Sequence, residues 1–227
     1  MTQAGILYLV ATPIGNLADI TFRAIEILRH VDFVICEDSR RSGLLLKHFE
    51  IKKPFKTYHE HTGPTKKVAI LEELKNGQNA ALITDAGTPL ISDPGFDLVR
   101  DAINVGIRVE SIPGPTAFVS ALILSGLPSH AFTFIGYLPQ KEKARVHALQ
   151  KLIHEPRSLI FYESPYRIQK TLKDMFEVFG DRQVSVSREM TKKFEETLRG
   201  KLSDMIRVLA DKKILGEWAV VVQGHES

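Results

Sequence analysis

Short apolar runs of strand length alternate with amphipathic stretches of helix length along this chain, and that alternation confines it to an α/β architecture. Gly5 to Ala11 (GILYLVA) is apolar without a polar face and stops at Thr12-Pro13, so it reads as a strand buried on both sides, as in a parallel sheet. Ile20 to His30 follows as a helix behind an Asp19 cap, with apolar residues at 22, 25, 27 and 28, and Phe33 to Cys36 is the next strand. A helix from about Thr65 to Asn76, stopped by Gly77, leads to a strand at Ala80 to Thr84. Asp93-Pro94 pairs a capping acid with a proline suited to the first helical turn, and Gly106 closes the helix it opens. Arg108 to Ile112 adds a further strand to this first, mainly parallel sheet. Thr116 to Ser125 is a helix without a single charge, which is expected to be buried.

Gly126-Leu127-Pro128 breaks the pattern and sets the expected boundary between two α/β domains, residues 1–126 and 127–227. Beyond it, strands are expected at Thr133 to Tyr137, Ser158 to Glu163, Gln183 to Arg188 and Trp218 to Gln223, with helical stretches near Lys141 to His154 and Pro165 to Val178. The charged alternation of Phe194 to Gly200 suits a hairpin, so the second sheet is expected to be mixed. Two such domains leave a cleft, and ligands of α/β proteins sit beyond the carboxyl ends of strands.

Several function classes fall away. The longest uncharged apolar run, Ala117 to Leu127, is 11 residues, against the roughly 20 that a membrane-spanning helix needs. The opening MTQAGILYLVATPIGN lacks the basic start and cleavage site of a secretory signal, and Cys36 is the single cysteine, so a reducing, cytoplasmic setting is expected. The net charge of +3 is uneven: residues 1–115 hold 13 Lys/Arg against 14 Asp/Glu, and residues 116–227 hold 17 against 13. The second half is therefore the better suited to an anionic partner. His59-Glu60-His61 is the one tight histidine cluster, but i, i+2 spacing does not share a helix face, so no metal is expected. Cys36 sits in an apolar strand and reads as core.

The chemistry lies in loops that follow strands. Thr12-Pro13-Ile14-Gly15-Asn16 occupies the place of a dinucleotide-binding G-x-G-x-x-G but has one glycine. Glu37, 22 residues beyond Gly15, imitates the ribose-binding acid of that fingerprint without the glycines that admit a pyrophosphate. P-loop and G-x-S-x-G motifs are absent. Thr84 to Gly95 (TDAGTPLISDPG) is long for a strand-to-helix connection and packs small residues and prolines around two carboxylates, as loops that approach a ligand do. Asp93 reads as a helix cap, whereas Asp85 has no capping duty and reads as an acceptor for a ligand amine or hydroxyl. Pro113-Gly114-Pro115-Thr116 is a rigid turn into the uncharged helix, and Phe161-Tyr162-Glu163-Ser164-Pro165-Tyr166-Arg167 gathers aromatics, an acid and an arginine at a strand end.

Six ordered motifs, TPIGNLADIT (12–21), CEDSR (36–40), TDAGTPLISDPG (84–95), PGP (113–115), FYESPYR (161–167) and REMTK with a following EE and RG (188–200), resemble those of the ribosomal RNA small subunit methyltransferase I family, within the tetrapyrrole methylase superfamily. The resemblance covers nearly the whole chain. It implies two α/β domains flanking an S-adenosylmethionine cleft, a homodimer, no metal, and methylation of the ribose 2′-oxygen of a cytidine in the decoding region of 16S ribosomal RNA. It assigns cofactor contacts to Pro13, Asp85, Gly87, Thr88, Pro89, Thr116, Ala117, Tyr162 and Met190, and it also matches Glu163 to a position where the second domain covers the cofactor. Members often continue past the strand here spanning Gly216 to Gly224 into a small basic domain, whereas this sequence reaches Ser227.

Methyl transfer from a sulfonium is an in-line displacement, so the protein chiefly has to position the methyl carbon against the acceptor oxygen. A ribose hydroxyl is a poor nucleophile that gains from a base or from cations favouring the alkoxide. Glu163, Arg188, Glu189 and Lys192 are the expected catalytic groups, with Glu37 also a candidate, and Asp38, Arg40 and Arg41 are the expected RNA contacts. The competing readings are carbon methylation of a tetrapyrrole, which calls for a hydrophobic trough, and a non-catalytic RNA-binding module, which the intact 84–95 loop opposes.

Overall fold

The computed structural model describes residues 3–59 and 62–225, so Glu60 and His61 of the histidine cluster lie outside the described residues. The chain divides into two compact units at Thr116/Ala117. The expected division at 126/127 falls ten residues later because the uncharged helix packs on the strands of the second unit rather than closing the first.

The first unit runs β1 (Ile6–Val10), a 3-10 turn (Leu17–Asp19), α1 (Phe22–His30), β2 (Phe33–Cys36), α2 (Ser39–His48), β3 (Phe55–Thr57), α3 (Pro64–Lys75), β4 (Ala80–Ile83), α4 (Phe96–Asn104) and β5 (Arg108–Ile112). Its sheet is wholly parallel in the order β3-β2-β4-β1-β5. The period-two geometry of a strand sorts the apolar runs onto both faces. Phe33, Ile35, Leu82 and Leu7 join Ile70 and Leu74 of α3 and Leu98 of α4 on one face. Val34, Cys36, Ile83 and Val10 join Leu28 of α1 and Leu46 of α2 on the other. Cys36 is fully buried there, and desolvation pushes its thiol pKa up.

Two expected caps move. Asp19 belongs to the 3-10 turn, and α1 is capped by Thr21, whose hydroxyl accepts from the Ala24 N–H. Asp93-Pro94 stays in the loop, and α4 starts after Gly95, whose φ of 125° no side chain tolerates easily. A Cβ there would also meet Leu82 Cδ2 at 2.9 Å.

The second unit runs α5 (Ala117–Ser125), β6 (Phe132–Tyr137), α6 (Glu142–Gln150), β7 (Ser158–Glu163), α7 (Ile168–Phe179), β8 (Gln183–Arg188), β9 (Glu196–Lys201), α8 (Leu202–Ala210) and β10 (Trp218–Val222). Its sheet, β6-β7-β10-β8-β9, is mixed, with only the β6–β7 pair parallel and β8–β9 forming the expected hairpin. One face carries the core built from Leu159, Phe161, Val184, Val186, Val220 and Val222 against α6, α7 and α8. The uncharged α5 is only partly buried: Ala121, Leu122 and Ser125 are enclosed, but Ile123 is 71% and Val119 43% exposed. Three elements, α2, β3 and α8, have no counterpart among the expected ones. Among the described residues no helix is long and apolar enough to cross a membrane.

Candidate functional site

In the first unit, β1 and β4 are neighbours whose following helices, α1 and α4, lie on opposite faces of the sheet. Such a switch point opens a crevice at the carboxyl ends of the two strands. The loops that leave β1, β4 and β5 are fastened to one another there. Thr12 N–H donates to the Gly87 carbonyl (2.8 Å) and Gly87 N–H to that of Thr12 (3.0 Å), while Thr12 Oγ1 donates to the Thr84 carbonyl (3.0 Å). Gly87 has φ 92° and carries its bare Cα against Ile14. Thr88 and Thr116 share a hydroxyl–hydroxyl bond of 2.7 Å, which ties the β4 loop to the Pro-Gly-Pro turn. Gly114 allows that turn to lie flat, since a Cβ would sit 2.9 Å from the Ala11 methyl.

Asp85 stands at the mouth of this crevice. Its Oδ2 accepts from Arg41 Nη1 at 3.1 Å, and its Oδ1 is shielded from solvent with no hydrogen-bond partner among the described residues. An unpaired buried carboxylate oxygen costs free energy that a ligand N–H or O–H would recover. Asp85, Arg41, Thr12, Pro13, Gly15 and Leu44 line a pocket of about 210 Å³. Asp38 is engaged elsewhere: it caps α2 through the Arg40 N–H (2.8 Å) and grips the Arg40 guanidinium (2.9 and 3.1 Å). Those bonds, the side-chain one foremost, hold its pKa down at about 2.

In the second unit, the Tyr162 hydroxyl accepts from Phe118 N–H at 2.9 Å and so fixes the first turn of α5. Its ring lies edge-on to Phe134, which stacks on Phe118 at 4.6 Å. Glu163, an expected catalytic group, is held inside the second unit. It is fully buried, and its carboxylate accepts from Ser164 N–H (2.7 Å), Arg167 (2.7 Å) and the Thr171 hydroxyl (2.7 Å). A base needs a lone pair within reach of substrate, and this carboxylate spends its capacity on the strand-to-helix turn.

The remaining expected catalytic groups gather at the β8–β9 connection. Arg188 donates to Glu196 (2.9 Å) and lies over the Trp218 ring, and Glu196, also bonded by Lys212, has a lowered pKa for that reason. Glu189 pairs with Lys192 at 2.9 Å and presses on Gly216, where a Cβ would fall within 2.4 Å of its Oε1. Glu189 (φ 48°) and Thr191 (φ 65°) are both left-handed and flank the buried Met190. Thr12, whose backbone and hydroxyl join the loops, and Phe118 carry no expectation from sequence; the Thr-Pro that ends the first strand was the available signal for Thr12.

The family described as Tetrapyrrole (Corrin/Porphyrin) Methylases matches residues 6–206. The chain is similar to proteins named ribosomal RNA small subunit methyltransferase I from three bacteria. With that of Haemophilus influenzae it is 51% identical over 224 residues, covering 97% of this chain and 79% of that protein. With that of Halalkalibacterium halodurans the figures are 48% over 221 residues, 97% and 76%. With that of Thermotoga maritima they are 46% over 222 residues, 98% and 100%. Among solved structures, a uroporphyrin-III-C-methyltransferase from Thermus thermophilus superposes with a TM-score of 0.66 at 18% identity, covering 96% of this chain and 94% of that one, a likeness of fold.

Proposed function

We propose, from the premise that this chain belongs to the tetrapyrrole (corrin/porphyrin) methylase family, that it is an S-adenosylmethionine-dependent methyltransferase of small-subunit ribosomal RNA. The observation that carries the cofactor assignment is Asp85 Oδ1, a buried acceptor without a partner among the described residues, beside a glycine-bared loop already locked in place. A preformed acceptor and exposed backbone suit the amino, carboxylate and hydroxyl groups of that cofactor, so the residues present fit it. Bound there, the cofactor supplies an electrophilic methyl group. Pro13, Gly87, Thr88, Pro89 and Thr116 form the rigid wall of the first unit in this reading, and Ala117, Tyr162 and Met190 are the contacts proposed from the second.

The substrate follows the relatives, whose name specifies small-subunit ribosomal RNA. Within it, the ribose 2′-oxygen of a cytidine in the decoding region of 16S ribosomal RNA is the proposed acceptor, in the assembled subunit, by a cytoplasmic homodimer. Arg40, oriented by Asp38, and Arg41 are the proposed phosphate contacts. Arg188 and Lys192 are the cations proposed to favour the alkoxide, with Glu189 the candidate proton acceptor.

A 2′-O-methyl group blocks alkaline cleavage at its own linkage. Small-subunit RNA treated with protein and labelled cofactor should therefore gain label and show one gap, at a cytidine, in an alkaline ladder. Label on a base with an unbroken ladder refutes the ribose assignment, and a labelled tetrapyrrole with unlabelled RNA refutes the RNA assignment as well.

A further inference from the structure

The half of the chain with the lower net charge contains a cationic pocket that the site above does not use. Helix α2 ends in a tight reversal: Glu50 N–H bonds the Lys47 carbonyl (3.1 Å) and Ile51 N–H the Leu46 carbonyl (2.8 Å), with Glu50 left-handed at φ 56°. This pair of bonds is the usual glycine-terminated helix stop, made here with a glutamate. It brings Lys52 and Lys53 round beside Lys47, on the rim of a pocket of about 660 Å³ floored by Leu46, Ile51 and Phe55. Among the described residues none of the three lysines has an ion-pair partner, and Glu50 is the one acid in the lining.

The opposite end of α2 carries Arg40 and Arg41, beside the Asp85 crevice. Arg40, Leu44 and Lys47 are spaced i, i+4, i+7 and all exposed, Leu44 at 71%, so they form one outward stripe. The ten residues of α2 span about 15 Å at 1.5 Å per residue, roughly four nucleotide steps at 3.4 Å each.

We propose that the Lys47–Lys52–Lys53 pocket is a second anchoring site for the RNA strand, which runs along the exposed stripe of α2 between it and Arg40–Arg41. Resting on the RNA reading above, this assigns phosphates to the three ammonium groups and one base or ribose to the apolar floor, with Phe55 as the aromatic surface. An anionic strand is the occupant because an apolar floor beneath three lysines without ion-pair partners among the described residues complements a nucleotide and repels cationic partners.

The test compares Lys47→Ala/Lys52→Ala/Lys53→Ala with a charge-matched control, Lys143→Ala/Lys170→Ala/Lys173→Ala, in RNA binding, methyl transfer and melting. Three single-strand phosphate contacts at about 0.7 each make a salt slope of about 2. From 50 to 200 mM salt the wild type should therefore lose about 20-fold more RNA affinity than the pocket variant. The variant's KM for RNA should rise while kcat, cofactor affinity and melting stay at wild-type values, and the control should behave as wild type throughout. A pocket variant whose slope and KM match the control overturns the anchoring site while wild-type methyl transfer to RNA keeps the RNA reading intact. Absence of transfer to RNA by the wild type overturns both.

Discussion

Replacing Glu163 separates a structural carboxylate from a catalytic one. In Glu163→Ala the fully buried Thr171 hydroxyl loses its acceptor, a cost of about 1–3 kcal/mol. The Arg167 guanidinium is 20% exposed and keeps the Leu138 carbonyl at 3.1 Å. The lost ion pair therefore weighs nearer the roughly 0–1 kcal/mol of a surface pair than the 3–5 of a sealed one. The deleted methylene adds about 0.8 kcal/mol. The sum is near 3 kcal/mol, a melting shift of roughly 6–12 °C for a chain of this size. Glu163→Gln keeps the volume and one acceptor and should cost about 1–2 kcal/mol. Calorimetric melting alongside single-turnover methyl transfer, well below the transition, reads both quantities. A structural role predicts lowered melting with a rate within a few-fold of wild type in the folded fraction. If Glu163→Gln melts like wild type yet transfers methyl about a hundredfold or more slowly, as loss of a general base would require, the argument from burial is wrong.

Other positions give sharp expectations. Gly43 lies inside α2, where an added methyl would find its nearest neighbour, Phe55 Cε2, at 4.0 Å; Gly43→Ala should stabilise by about 0.5–1 kcal/mol, read as a small rise in denaturant midpoint. Gly95→Ala meets both φ 125° and Leu82 Cδ2 at 2.9 Å, and should lose about 2–4 kcal/mol with weakened cofactor binding by calorimetry. Arg41→Ala should lower the RNA salt slope by about one, and, because the Arg41 side chain is 70% exposed, shift cofactor affinity by no more than about fivefold. The Asp38 and Glu155 pKa values are both lowered to about 2, from 3.8 and 4.5, by their Arg40 and Arg157 partners. Depressed carboxylates stabilise above the unfolded values and lose that contribution as pH falls toward 2; Asp38→Asn/Glu155→Gln should flatten the fall in unfolding midpoint between pH 4.5 and 2.5.

Strand positions were legible from short apolar and β-branched runs: Phe33–Cys36, Arg108–Ile112, Ser158–Glu163 and Gln183–Arg188 fall where expected, although Arg108–Ile112 carries Arg108, Glu110 and Ser111 and is largely unburied. Reading failed where local chemistry offers two solutions. Asp19 and Asp93 both look like caps, but the chain turns into α1 at Thr21 and into α4 at Gly95, since Asp19 belongs to the 3-10 turn and Asp93 stays in the loop before α4. Helix α2 begins with SRRSG, whose polar opening hides the buried Ser42 and Leu46 beneath the exposed stripe. The uncharged α5 looked like a core helix, yet absence of charge does not require burial on every side, and its outer residues Val119 and Ile123 remain exposed. For Glu163, sequence placed an acid at a strand end, and only the structure shows its contacts with Arg167 and Thr171, four and eight residues on.

Backbone conformation supplies a line of evidence that no residue letter carries. Among the described residues five non-glycine positions have positive φ: Glu50, Leu90, Ser92, Glu189 and Thr191. Each costs on the order of 1–3 kcal/mol and persists only where surrounding structure overrides it. Nothing about leucine, serine, glutamate or threonine announces such a state, so these positions were invisible in the sequence. They are not scattered. Leu90 and Ser92 lie in the loop that carries Asp85 and Gly87, while Glu189 and Thr191 flank Met190 in the hairpin that carries Arg188 and Lys192. Glu50 forms the wall of the lysine pocket. Strain held in place by close packing is what a preorganised site requires, since groups fixed before the ligand arrives cost no ordering when it does. Four of the five positions fall in the 84–95 and 188–192 segments, which supports reading these segments as shaped for binding rather than for stability.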